Sequence, residues 1–158
     1  MANYTIDAAA LQPYPPAKSE IDLFNDKVYM SLVGFMFMNT RLFGFKIPSH
    51  INFEEVNLRF YVRYCDNGQW KRGTVFIKET VHKPDISFID NAICYENYCT
   101  KMMRHCITET THELPVNYEW KHNSKWNTLM AIVNRTAHSM ITRSEDAIIA
   151  AHFQGYLK

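Results

Sequence analysis

The stretch NFEEVNLRFYVRYCDNGQWKRGTVFIKETV, residues 52–81, decides the fold class of this 158-residue chain. From Asn52 to Tyr64 polar and apolar residues alternate. Val56, Leu58, Phe60 and Val62 fall on one face, and Glu55, Asn57, Arg59, Tyr61 and Arg63 on the other. A period of two belongs to a strand with one face on a core. Asp66-Asn67-Gly68 then marks a tight turn, because Asn and Gly accept the positive φ that a hairpin needs. Trp70 to Val81 returns as the second strand, so the segment predicts an antiparallel hairpin.

Outward from the hairpin, extended segments predominate. Upstream, Ile21 to Phe24 and Val28 to Met38 flank a turn at Asn25-Asp26. Asp7 is placed to cap a short helix through Leu11, which the prolines of PYPPAKSE (Pro13 to Glu20) end. Downstream, Pro84 opens a predicted helix from Asp85 to Tyr95, with Ile86, Ile89 and Ile93 at helical spacing. Met102 to Glu113, Val116 to His122 and Lys125 to Asn134 are extended, the last two joined at Asn123-Ser124. Ser144 caps a final short helix to Ala151, ahead of Gly155. With roughly seven strands and three short helices, the expectation is an α+β, β-dominated single domain whose antiparallel sheet curls into a barrel or half-barrel.

Composition narrows the function classes. Aromatics reach 14%, with nine Tyr and ten Phe, which suits pleated surfaces. The formal net charge of +1 gives no electrostatic case for nucleic acid or an anionic membrane. The longest apolar run, Met30 to Met38, is too short for a membrane-spanning helix. The N-terminus lacks the basic and apolar regions of a secretory signal, so reduced thiols in a cytoplasm are expected for Cys65, Cys94, Cys99 and Cys106.

Two polar groupings are candidates for chemistry. Glu55, Asn57 and Arg59 repeat every about 7 Å along one strand face, with Lys78 on the partner strand. Lining a lumen, they suit a small anionic or carbonyl ligand, with Glu55 as general acid/base and Arg59 and Lys78 as anion anchors. The alternative is a solvated outer face. The second grouping is Glu96 with Arg104 and His105: an acid, an anion clamp and a proton shuttle, or else an ion pair tying a helix to a strand. Cys94, Cys99, His105, Cys106 and His112 lack zinc-site spacing, so no metal is expected. His105 and Cys106 are adjacent on a strand and point to opposite faces, against a Cys–His pair. Trp70, Trp120 and Trp126 suit cross-strand packing or ligand stacking. No Gly-rich phosphate loop occurs, and no cofactor is expected.

A set of strings resembles one family. They are ALQPYPPAKSEID (10–22), VYMSLVGFMFMNTR (28–41), INFEEVNLRFYVR (51–63), RGTVFIKETV (72–81), NAICYENY (91–98), MMRH (102–105), YEW with Trp126, and HFQGY (152–156). In this order they resemble the YqjF-like family of uncharacterised conserved proteins. That family extends further at both ends, so the chain looks like a short form or a fragment. A more distant similarity is to acetoacetate decarboxylase, in the Leu/Pro-rich entry and the Phe-Glu-Glu-Val strand. That resemblance implies a β-barrel and a Schiff-base lysine beside a second lysine. At the matching place the chain reads YENYCTKMM (95–103), with Lys101 as its only lysine. The neighbouring cation keeps the nucleophilic amine neutral in that family, so its absence argues against a Schiff base at Lys101. Two expectations follow: an enzyme-like pocket for a small anionic or carbonyl metabolite, or a non-catalytic binding or interaction module. A homo-oligomer formed through the C-terminal segment or the Val28 to Met38 strand is expected, because an uncovered sheet edge favours association.

Overall fold

The computed structural model describes residues 1–41, 44, 46, 51–84, 98–136, 138–152 and 154–156. The helix expected from Asp85 to Tyr95 lies outside them, as does Glu96. The described residues form eleven strands and two helices. The chain divides into two compact units. The first comprises Met1, Gly34–Asn57 and Lys78–His138. The second comprises Ala2–Val33, Leu58–Ile77 and Ser139–Lys158.

Three hairpins share one local cause. β3 (Leu23–Phe24) and β4 (Lys27–Phe37) meet at Asn25-Asp26, β5 (Phe53–Asp66) and β6 (Gln69–Val81) at Asn67-Gly68, and β9 (Glu113–His122) and β10 (Lys125–Asn134) at Asn123-Ser124. All six turn residues have positive φ, from 46° to 81°. Two consecutive positive φ values give the turn whose twist matches that of paired strands. Asn, Asp and Gly reach that region at least cost, which is why these turns were legible.

In the second unit, β1 (Ala2–Ile6) pairs antiparallel with β4, and β2 (Ser19–Ile21) pairs antiparallel with β5. β11 (Gln154–Tyr156) runs parallel to β6. The apolar face expected of β5 is confirmed here: Phe60 and Val62 are fully buried and pack with Leu11, Val28 and Val75. Leu11 arrives on α1 (Ala8–Leu11), whose first turn is closed by Asp7 Oδ1 accepting from Ala9 N at 2.9 Å. α2 (Glu145–Ala151) starts as expected: Ser144 Oγ accepts from Ala147 N at 3.1 Å, and Glu145 and Asp146 complement the helix N-terminus.

In the first unit, β7 (Tyr98–Thr100) runs parallel to β6. A three-stranded antiparallel sheet has the order β10–β9–β8, with β8 at Met103–Ile107. Phe37 stacks on Phe53 at 4.6 Å, beside Val81 and Tyr98. Tyr118 of β9 is buried against Gly34, where an added Cβ would stand 2.7 Å from its ring. Burial, then the nearby Glu54 carboxylate, push the Tyr118 hydroxyl above its ordinary range.

Among the described residues the expected barrel or half-barrel is not found. The described residues are β-dominated and α+β, and both of their sheets are open. The larger follows the order β1–β4–β5–β6–β11, and its end strands are not paired to each other. Closure needs a ladder between first and last strands; β11 instead adds three residues in parallel to β6. Alternation sorts the apolar from the polar face of a strand; it decides neither whether the polar face is covered nor whether the sheet meets itself.

Candidate functional site

In the first unit, Lys78 and Thr80 alternate onto one face of β6. β7 pairs with the same strand, Thr80 opposite Cys99 and Val81 opposite Thr100. Lys101 N donates to Val81 O at 2.9 Å, which continues this parallel ladder by one residue and fixes Lys101 at the end of β6. On β9, Trp120 and His122 are two apart and share a face. Asn127 of β10 stands opposite Trp120.

These six side chains line one cleft of about 210 Å³. It offers two ammonium groups, an imidazole, a carboxamide, a hydroxyl and an indole wall, and none of the six is acidic. Lys78, Thr80, Lys101 and Trp120 are buried or half-buried, so their donors are partly withdrawn from water. Donors of one sign in a concave site concentrate anions.

Glu55 and Asn57 are not on a solvated face. They are 1% and 2% exposed. Asn57 Nδ2 donates to Glu55 Oε1 at 3.0 Å, and Tyr98 Oη donates to Glu55 Oε2 at 3.0 Å. The residues lining the Lys78–Lys101 cleft do not include either of them. Arg59 is half-buried and belongs to the second unit. Arg104 is exposed, ion-paired to Glu119, with its guanidinium 4.4 Å from the Trp126 ring centre. His105 is exposed, 3.8 Å from Glu54 and beside Tyr118. The sequence grouped Lys78 with Glu55, and Arg104 with His105; the fold puts Lys78 with Lys101.

A cluster that sequence reasoning missed occupies the second unit. Asp22 is 6% exposed and His152 is 4% exposed. His152 Nε2 lies 2.9 Å from Asp22 Oδ2, and its Nδ1 lies 2.7 Å from Ile148 O. Both ring nitrogens face acceptors, so only the doubly protonated ring donates at both. Arg72 Nε donates to Asp22 Oδ2 at 2.9 Å, and Arg63 Nε stands 4.0 Å from Oδ1. Burial alone pushes the Asp22 carboxyl up; the His152 hydrogen bond and the Arg72, His152 and Arg63 charges outweigh it and hold it below its ordinary value. Beside it, Tyr61 Oη and Ser31 Oγ are 2.6 Å apart, and Ser31 donates to Asn3. Asp22, His152, Tyr61 and Ser31 are buried while Arg63 and Arg72 are about two-fifths exposed, and the Asp22–His152 contact latches the end of α2. The available signal was a lone Asp between Ile21 and Leu23 in an extended run.

Among the described residues no group of three His, Cys, Asp or Glu could hold a metal. Cys65 and Cys106 are exposed free thiols, and Cys99 is a half-buried one. No described helix is long and apolar enough to cross a membrane.

Comparison with curated proteins and with solved structures finds no match. The model of the family DUF2071, an uncharacterized conserved protein (COG2071), matches residues 1–158. The chain therefore belongs to the DUF2071 family of uncharacterized conserved proteins.

Proposed function

We propose that the cleft of the first unit binds a small carboxylate- or phosphate-bearing anion. The observation that carries this reading is the meeting of Lys78 and Lys101, from different strands, in one concavity with His122. Thr80 and Asn127 supply neutral hydrogen-bonding groups, and Trp120 supplies a flat wall. The distant likeness to acetoacetate decarboxylase favours a ligand that also carries a carbonyl group.

Isothermal titration with acetoacetate, pyruvate and inorganic phosphate, at constant ionic strength set with chloride, tests the reading. The expected result is saturable binding of at least one anion, weakened about tenfold or more in Lys78→Met and in Lys101→Met. Equal affinity in the double variant, or no binding above chloride, would overturn it. Binding needs no covalent step. Borohydride reduction in the presence of pyruvate or acetoacetate is expected to leave the protein mass unchanged, because the sequence lacks the lysine pair of the decarboxylases. An adduct mapped to Lys101 would replace simple binding with imine chemistry.

A further inference from the structure

We propose that β10 is a self-association edge: it pairs antiparallel with β10 of a second copy, Leu129 opposite Leu129, to give a continuous six-stranded sheet. The inference stands apart from the anion cleft.

Among the described residues β10 pairs only with β9. The two-residue turn Asn123-Ser124 makes His122 and Lys125 a hydrogen-bonded pair. Ladder bonds alternate from there, so odd-numbered residues of β10 bond to β9. Arg135 N, donating to His112 O at 3.1 Å, continues that phase. The N–H and C=O groups of Trp126, Thr128, Met130 and Ile132 therefore point away from β9.

Their side chains form one exposed and largely apolar row. Trp126 is 41% exposed, Met130 71% and Ile132 63%. The strand runs ten residues, contains no proline, and carries its only charge at Lys125, its first residue. Edges left unpaired are normally short, bulged, or guarded by charge or proline. This edge has none of those protections.

Charge and length select the partner and the register. With Leu129 on the two-fold axis, Trp126 faces Ile132, Thr128 faces Met130, and Lys125 faces Val133. An aromatic opposite a β-branched residue is a favourable cross-strand pair. Arg135, one step beyond, is already ion-paired to Glu109 at 2.8 Å. Centring on Met130 instead would set Lys125 opposite Arg135, a like-charge pair. Centring on Thr128 would run the ladder into the turn at Ser124 and leave Val133 and Asn134 unpaired. The centred register satisfies the outward groups and opposes no charges, so the strand is complementary to itself.

The test is sedimentation equilibrium with cysteine cross-linking. The wild-type chain is expected to show twice its 18.6 kDa mass at micromolar concentration. Leu129 and its copy form a non-hydrogen-bonded pair with Cα atoms about 4.5 Å apart, within disulfide reach. In a Cys65→Ser/Cys106→Ser background, Leu129→Cys is expected to cross-link on oxidation. Lys125→Cys, whose copies lie at opposite ends of the pairing, is not. Met130→Lys, at an exposed position, is expected to weaken association about tenfold. Mixing Met130→Lys with Met130→Glu is expected to restore it. A monomer mass at every concentration would overturn the proposal. A dimer that Met130→Lys leaves intact, with no Leu129→Cys cross-link, would also overturn it.

Discussion

Asp22 and Glu55 are both buried carboxylates, 6% and 1% exposed, and their described surroundings differ in kind. Asp22 is held by the Arg72 guanidinium and the His152 imidazole, each at 2.9 Å, with Arg63 further out. Glu55 accepts from an amide and a phenol, Asn57 and Tyr98. Both solve the cost of burying a polar group, by different means. The Arg72 charge brought from β6 cannot be neutralised by an uncharged substitute, and His152 ties the same carboxylate to the end of α2. The two described donors to Glu55 are neutral groups, one of them a rotatable hydroxyl. The carboxylate-to-carboxamide exchange, made at each site, measures that difference.

The largest effect is expected at Asp22→Asn. The substitution leaves the Arg72 guanidinium facing an amide that cannot neutralise it and weakens the hydrogen bond to His152. Breaking a fully buried charged pair costs about 3–5 kcal/mol; because Arg72 is 41% exposed, the loss here is expected at about 3 kcal/mol, the lower end. Denaturant unfolding followed by far-ultraviolet circular dichroism measures the loss. A cost near zero would show that the latch contributes nothing and would erase the contrast between the sites.

Acid sharpens the same contrast. The folded Asp22 carboxyl sits below its ordinary value, so the unfolded chain takes up the proton first. Its contribution is present above the unfolded value, near 3.8, and is lost as pH falls through the lower folded value. Denaturation midpoints recorded down to about pH 2.5 are expected to fall more steeply for the wild type than for Asp22→Asn. Parallel curves would assign the acid limb to other carboxylates.

The hairpins and caps were legible because their causes are local. Alternation from Asn52 to Tyr64 identified the apolar face of β5, though not that its polar face is buried too, and Asn, Asp, Gly and Ser at the turns supplied positive φ. Asp7 and Ser144 cap their helices through contacts two and three residues away. What was hidden depends on distant partners. Asp22 and His152 are separated by 130 positions, and no periodicity connects them. Lys78 and Lys101 share a cleft because β7 pairs in parallel with β6, and three-residue strands leave no pattern to read. The barrel failed for the same reason: local alternation is silent about which strands end the sheet.

A smaller effect is expected for Tyr98→Phe. The exchange removes the hydroxyl that donates to Glu55 Oε2 and leaves the ring beside Phe53 and Val81. A hydrogen bond to a charged acceptor is worth about 1.5–3 kcal/mol. Thermal and denaturant unfolding should place the loss below that of Asp22→Asn. A larger loss would mean that the phenol, rather than the carboxylate, organises this part of the first unit.

The smallest effect is expected for Glu55→Gln, the counterpart of the first substitution. The new amide has nearly the shape of the carboxylate, so packing is retained. Its carbonyl oxygen can still accept from Asn57 Nδ2. Its nitrogen would face the Tyr98 oxygen, and that hydroxyl can rotate from donor to acceptor. Both described bonds survive with one of them reversed, at a cost of about 1 kcal/mol for the lost charge assistance. Made together, Glu55→Gln and Tyr98→Phe should cost more than either alone, because phenylalanine leaves the amide nitrogen without that acceptor. Comparing the sum of the single losses with the loss of the double variant isolates the coupling. If Glu55→Gln alone approaches the cost of Asp22→Asn, the carboxylate charge itself is what this site requires, and the distinction between the two buried acids fails.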